Sequence, residues 1–388
     1  MAITRAPFGA AVTAARAGSA AKALSLSPLA DLGTARAVFV NGRFRRDLSA
    51  APKGRGLWAG SLAEALATRG DAVASRYGTI VPPSGGAFAA LNAALAEDAA
   101  VVVIDADADV AGPIHVLHLA VTDSDREAAY PRTLVVAMPG SRATVIETHL
   151  GDACGSYLTD AVTEIDLGDG ASLEHCRIEA DTASGFHVAS VRARQGRGAR
   201  LASNVASIGS GFARVDVGTT LAAEGAECLL NGLYLAGDHR HVDHYTSVEH
   251  AAPHGTSHQL YKGILSGAAR AVFTGRIRVA EGAQGTDALQ SNRNLLLSSD
   301  ALVHTRPQLE IRADDVRCTH GATIGRLDAE SLFYLRSRGI GEADARRLLI
   351  EAFMGEVVGR IGFGPLREKL SERVRASSAL LPAEGGAR

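Results

Sequence analysis

A mainly β fold is expected for this chain: a right-handed parallel β-helix flanked by a short N-terminal α/β segment and a C-terminal helical domain. Three observations predict it. Between residues 99 and 327 short alternating runs, among them ASLEHCRIEA, HVASVRARQ, ARLASNVASIG, ARVDVGTTLAA and CLLNGLYLAG, are broken by glycine at close intervals, the period-two pattern of strands separated by turns. Most of these breaks lack the Asn-Gly or Asp-Gly pairs that close hairpins, so the strands are expected to stack as parallel coils. Small side chains dominate, with 42 glycines and only 5% aromatic residues, which suits closely stacked strands. Asn231-Gly232 is the exceptional hairpin signature, and Asp169-Gly170 is read as a second tight turn.

Residues 1–36 read as a leader, rich in alanine and without an acid before Asp31. Arg5, Arg16 and Lys22 give it a loose likeness to an import signal, but an unstructured bacterial N-terminus is the preferred reading. Residues 37–98 form the α/β segment: VFVNGRF is a strand and turn, SLAEALATR a helix, VPPSGG a loop, and Ala87–Glu97 a second helix. Residues 99–327 are the β-helix. At Asp328 the period changes. DAESLFYLRSR begins with an N-cap residue and stops at Gly339. In the next helix Ala345, Leu348, Leu349, Ala352, Phe353 and Val357 are expected on one buried face. Phe363-Gly364-Pro365 interrupts, and LREKLSERVRA resumes. The helical domain thus covers 328–378, and 379–388 is a tail.

Composition excludes several functions. A net charge of -2 offers no basic excess to neutralise phosphates, so no nucleic-acid partner is expected. No run of about 18 apolar residues suggests a membrane span. The sequence has no GK[ST], so a Walker A loop is absent and the chain is not itself a P-loop ATPase; G-x-S-x-G, HExxH and a Rossmann GxGxxG are missing as well. Cys154, Cys176, Cys228 and Cys318 form no CxxC pair, which removes a local zinc or four-cysteine cluster site. Scattered thiols without a secretory signal point to a reducing compartment, the bacterial cytoplasm, in preference to organellar import.

Three groups of residues remain. Asp238–His258 holds six histidines and several acids; His239, His241 and Asp243 share a strand face suited to a metal, although a hydrogen-bonded solenoid face explains them as well. Asp238, Asp243 and Glu249 would also supply the carboxylates of a carbohydrate-active β-helix lyase or hydrolase. Cys318 and His320, two apart on a strand, project to one side. Thiolate and imidazole are iron–sulfur ligands, but a packing cysteine beside a satisfied histidine is the commoner meaning, and two ligands cannot enclose a cluster. In the helical tail, Phe333, Tyr334, Arg336, Arg338, Arg347, Phe353 and Met354 read either as core and solvated face or as a partner surface.

The blocks LNGLYLAGDHRHVDHYTSVEHAAPHGTSHQLYKGILSGAARAVFTGRIRV and AQGTDALQSNRNLLLSSDALVHTRPQLEIRADDVRCTHGATIGRLDAESLFYLRSRGI closely resemble the SufB/SufD family of iron–sulfur cluster assembly scaffolds. CTHGATIG and FYLRSRGI resemble SufD, since SufB-like chains carry acids in place of Thr319 and Gly321 and extra N-terminal cysteines. The resemblance implies a non-enzymatic scaffold subunit that pairs with a SufB-like paralogue and docks a SufC-like ABC ATPase. It places Cys318 and His320 at the subunit interface, as transient metal ligands where a nascent Fe–S cluster forms with the partner chain. It places ATPase docking on Phe333–Phe353. It leaves room for a flavin in the complex that no residue here specifies. SufD-like chains usually begin with a longer helical domain, which the leader does not resemble.

Overall fold

The computed structural model describes residues 35–375 apart from 53–55, 123–124 and 154, with isolated positions before 35. The leader and the tail expected at either end therefore lie largely or wholly outside the described residues, as does Cys154.

Two long sheets run side by side. One joins, in spatial order, Leu302–Ile311, Arg270–Val279, His241–His250, Phe212–Leu221, Gly185–Gln195, Tyr157–Leu167, Arg132–Ala137, Ala100–Ile104 and Leu57–Ser61. The other joins Val316–Gly325, Thr286–Leu296, Thr256–Leu265, Glu227–Ala236, Arg200–Ser207, Ser172–Ala180, Arg142–Ala153, Ile114–Thr122, Ala35–Val40 and Arg43–Phe44. The chain alternates between the two, and each long strand pairs in parallel with the strand one coil later: Phe186 stands beside Phe212, and Arg270 beside Leu302. The result is a β-solenoid of about eight turns, in which each coil advances about 4.8 Å, the strand spacing of a sheet. Equivalent residues of successive coils thus form columns, half pointing into the core between the sheets and half outward.

Alanine, valine and leucine fill the inner columns, from Ala35 and Phe39 at one end to Ala288 and Val303 near the other. Wider side chains need room from their neighbours. A Cβ on Gly232 would lie 2.1 Å from the Tyr261 ring, and one on Gly263 would lie 2.1 Å from the Tyr234 ring. Each tyrosine therefore lies across a glycine of the adjacent coil. This explains why Asn231-Gly232 does not form the turn expected of it: both residues sit within Glu227–Ala236, where the glycine makes space for an aromatic ring. Gly170 does sit in a tight corner, at φ +66°.

The solenoid is closed at its first coils and open at its last. Near the N-terminus, Asn41 (φ 50°) and Gly42 (φ 80°) turn Ala35–Val40 back antiparallel onto Arg43–Phe44, the geometry of a primed hairpin turn. Two helices pack on the outer face of the first sheet here: α1, Leu62–Ala74, whose Ser61 hydroxyl accepts from Glu64 N, and α2, Ala87–Leu95. Asn92 of α2 is fully buried and donates to the carbonyls of Pro131 and Asp160.

Three helices follow the last strand: α3, Ala329–Ser337, capped by Asp328; α4, Glu342–Val358; and α5, Gly364–Arg375. The buried face of α4 differs from the one the spacing suggests. It consists of Ala345, Ile350, Met354, Val357 and Val358, whereas Leu348 is 46% exposed. The C-terminal half of α4 packs with α5 on the outer face of the second sheet, over Cys176, Ile178, Leu233, Leu260 and Ile264, and that docking rotates the stripe. Met354 belongs to this core rather than to a free surface.

Candidate functional site

Cys318 and His320 lie on Val316–Gly325, the terminal strand of the second sheet. Cys318 stands beside Ala288 and His320 beside Gln290, both fully buried residues of the inner columns. The column beneath Cys318 runs through Ala288 and Ser257 to Cys228, and that beneath His320 runs through Gln290 and Gln259 to Leu230. The pair therefore continues two inward columns, but among the described residues no further coil covers it. Cys318 is half-buried against the core and His320 is exposed. Burial, with Asp287 next, pushes the Cys318 thiol up from its usual range. Under His320 the column is polar: Gln290 Nε2 donates to Gln259 Oε1 at 3.3 Å, which also accepts from Thr246 Oγ1 at 2.8 Å.

The same end exposes apolar side chains. Ile324 is 48% exposed on the Cys318–His320 face, and Leu302 and Ile311 on the other terminal strand are 38% and 41% exposed. Two terminal strands with free backbone edges and uncovered apolar residues form a surface that a soluble protein ordinarily pairs or blocks.

The helical candidates separate. Phe333 and Tyr334 on α3 are 74% and 57% exposed. They line an open depression with Asp328, Ser331, Leu335 and Leu349. Arg338 stacks over Tyr334 at 5.1 Å, Arg336 pairs with Glu342 at 3.4 Å and Arg347 with Asp344 at 2.7 Å. Phe353 is different: it is half-buried, its ring lies 4.4 Å from Lys262 Nζ, and its carbonyl accepts from that ammonium at 2.7 Å. Lys262, only 3% exposed, also pairs with Glu356 at 2.5 Å. One buried lysine thus ties α4 to the solenoid wall.

The histidine-rich segment forms the strand His241–His250 with alternating burial. His244 faces inward to Ser207 and His250 to Ser257, at 3.0 and 2.8 Å. Outside, Asp243 pairs with Arg214 and Glu249 with Arg278, while Asp238 sits in a turn at φ +57°. His239 is exposed in that turn, and His241 stacks on Phe212. Asp243 and Glu249 are six strand residues apart, about 20 Å, whereas glycosidase carboxylates work at about 5–10 Å. The segment assembles neither a carboxylate pair nor, among the described residues, a metal ligand set.

A cluster that the sequence reading did not single out lies inside the first coils: His118, Glu147, His149, His175, Arg177, Glu179, Asp181 and His187, all buried. Its trace is a set of charged and imidazole side chains at alternate positions, Glu147 and His149 in VIETHLGDA and His175, Arg177 and Glu179 in SLEHCRIEA, with His118 in IHVLHLAVT.

Residues 120–353, which hold most of the solenoid, the open end and α3, match the family described as "SUF system FeS cluster assembly, SufBD core domain". The chain belongs to the SufBD family. Residues 20–116 match the SufBD protein N-terminal region, a counterpart for the segment whose start had no likeness to a longer SufD helical domain. The chain is 37% identical over 295 residues to an iron-sulfur cluster assembly SufBD family protein of Synechocystis, covering 74% of this chain and 65% of that one. It is 32% identical over 345 residues to the iron-sulfur cluster assembly protein SufD of Escherichia coli, covering 88% and 79%. The chloroplastic protein ABCI7 of Arabidopsis thaliana is 30% identical over 299 residues, 75% of this chain and 63% of that protein. As a SufBD-family member the chain is an iron–sulfur cluster assembly protein. No helix among the described residues is long and apolar enough to cross a membrane.

Proposed function

We propose that this SufBD-family chain is the SufD-like, non-catalytic subunit of a SufBCD complex in the bacterial cytoplasm. Its open solenoid end pairs with a SufB-like paralogue. Cys318 and His320 supply half of a ligand set there, and the partner supplies the rest of the site for a nascent Fe–S cluster, the cargo of the complex. A SufC-like ABC ATPase docks on the exposed face of α3 and the start of α4, through Phe333, Tyr334, Arg336, Arg338 and Arg347. Phe353 and Lys262 carry the strain of that docking into the solenoid wall.

The observation that carries this reading is the pair's position at the uncovered end of two inward columns. A thiol and an imidazole on one face, next to free strand edges and Ile324, suit shared ligation across an interface. The test is co-expression with SufB-like and SufC-like partners. His320→Ala is expected to leave the complex intact and to lower cluster yield. Unchanged yield in a complex of normal composition removes Cys318 and His320 from the site.

A further inference from the structure

The column beneath His320 ends in an unused acceptor. Gln290 is fully buried and stands one coil below His320, in register with it. Its Nε2 donates to Gln259 Oε1, one coil further in, at 3.3 Å. Gln259 Oε1 also accepts from the Thr246 hydroxyl of the opposite sheet at 2.8 Å. The Gln259 oxygen is thus fixed by two donors, and the Gln290 amide nitrogen is turned toward the closed end. Nitrogen and oxygen lie on either side of a planar amide, so Gln290 Oε1 is turned the other way, toward the coil that carries His320. That oxygen is buried and has no hydrogen-bond partner.

The amide is also held in place. A Cβ on Gly275 would lie 2.2 Å from Gln290 Nε2 and 2.7 Å from its Oε1. The side chain that Gly275 lacks is therefore the space the amide fills, and Gln290 reaches across the core to the other sheet. At an open end water can serve the free oxygen. Beneath a partner chain water is excluded, and a buried carbonyl left without a donor is costly. The imidazole of His320 is exposed about 4.8 Å away along the column, one strand spacing. It has the reach as well, since Nε2 of histidine and Oε1 of glutamine are equally far from their Cα atoms along the side chain.

We propose that Gln290 is the positioning residue for His320. When the partner covers the open end, Gln290 Oε1 accepts the Nε2–H of the imidazole, which leaves Nδ1 unprotonated and directed at the shared site. The inference rests on the half-site reading above and adds a fixed tautomer to it. A ligating histidine ordinarily donates its other ring N–H to an oxygen, and that bond sets both tautomer and ring plane. Cys318 has no such support, because Ala288 stands beneath it. The two half-ligands are therefore unequal: the imidazole is oriented from inside the solenoid, and the thiol is not.

The test uses the complex co-expressed with SufB-like and SufC-like partners. Gln290→Leu is expected to lower cluster yield about tenfold in a complex of unchanged composition. The double variant Gln290→Leu/His320→Ala is expected to yield no less than His320→Ala alone, because the amide acts through the imidazole. Gln290→Glu keeps an acceptor oxygen and is expected to retain more yield than Gln290→Leu. A merely structural role predicts the reverse order, since a carboxylate is harder to bury than a leucine, and that order overturns the proposal. Two failures are distinguishable. Unchanged yield in His320→Ala removes the half-site reading and this inference with it, whereas low yield in His320→Ala with normal yield in Gln290→Leu removes the positioning alone. Should Gln290→Leu not fold, the structure of the wild-type complex decides. His320 Nε2 within about 3.2 Å of Gln290 Oε1 is expected, and an imidazole turned away from the column overturns the proposal.

Discussion

The two ends of the solenoid are built from the same inward-facing columns, yet their polar residues meet opposite fates. At the first coils Phe39, with Phe44 behind it, lies over the His118 column, and His118, Glu147 and His149 are buried. At the last coils no further strand pairs with Val316–Gly325 among the described residues, and His320 is exposed. Identical register, with and without a cover, turns one polar set into part of the core and the other into an accessible half-site. The proposed recognition role accordingly falls to the open end.

Substitutions at the closed end are expected to have the largest effects. Arg132 and Glu164 form a buried ion pair at 2.8 Å, and Glu164 also accepts from the backbone N–H groups of Gly78, Ile80 and Val81. Arg132→Met strands that carboxylate, and the expected loss is about 3–5 kcal/mol in denaturant unfolding. Met354→Ala, which empties the core under α4, should cost about 2–5 kcal/mol. Gly263→Ala drives a methyl into the Tyr234 ring, with an expected cost of about 1–3 kcal/mol. A ring that shifts freely aside would remove that penalty and show the column to be loosely packed.

The interior also sets the response to pH. Burial lowers His115 and His244 to about 3 and His250 to about 4. The unfolded chain binds protons at these sites from about pH 6.5 downward while the folded chain does not, so stability is whole above that pH and falls as pH drops toward 4. Asp160, raised by burial to about 8, acts with the opposite sign, as do Asp98 and Asp243, which burial also raises, but the buried histidines dominate between pH 7 and pH 5. The denaturant midpoint is therefore expected to be lower at pH 5 than at pH 7. A flat profile would mean that the buried histidines gain protons without unfolding.

The smallest stability effects are expected at the open end and on α3. Phe333→Ala should change unfolding by less than about 0.5 kcal/mol and yet abolish co-purification of the ATPase partner. Retention of that partner would move the docking surface elsewhere.

The solenoid was legible in the sequence because alternation, glycine breaks and missing hairpin pairs each report backbone geometry directly. Capping was legible too: Asp328 and Gly339 bound the first C-terminal helix at the positions their chemistry implies. The His118–Glu147–His149 cluster was not, because polar residues such as Glu147 and His149 at alternate positions of a strand ordinarily mark a solvent face, and register across coils decides which face is inside. Gly232 misled for a related reason. A glycine that makes room for Tyr261 in the next coil is indistinguishable, in one sequence, from a glycine in a turn. The stripe of α4 was displaced because its partner surface, the outer face over Leu233 and Leu260, is set by tertiary docking.

The central claim is that Cys318 and His320 form half of a site completed by a partner chain. Its most direct test is the alkylation rate of Cys318 in the chain alone and in the complex with a SufB-like paralogue, with the buried Cys176 and Cys228 as internal controls. The account predicts that Cys318 reacts in the isolated chain, is protected in the complex, and becomes reactive again when Ile324→Asp dissociates the pair. A stable complex in which Cys318 reacts as fast as in the isolated chain would contradict it.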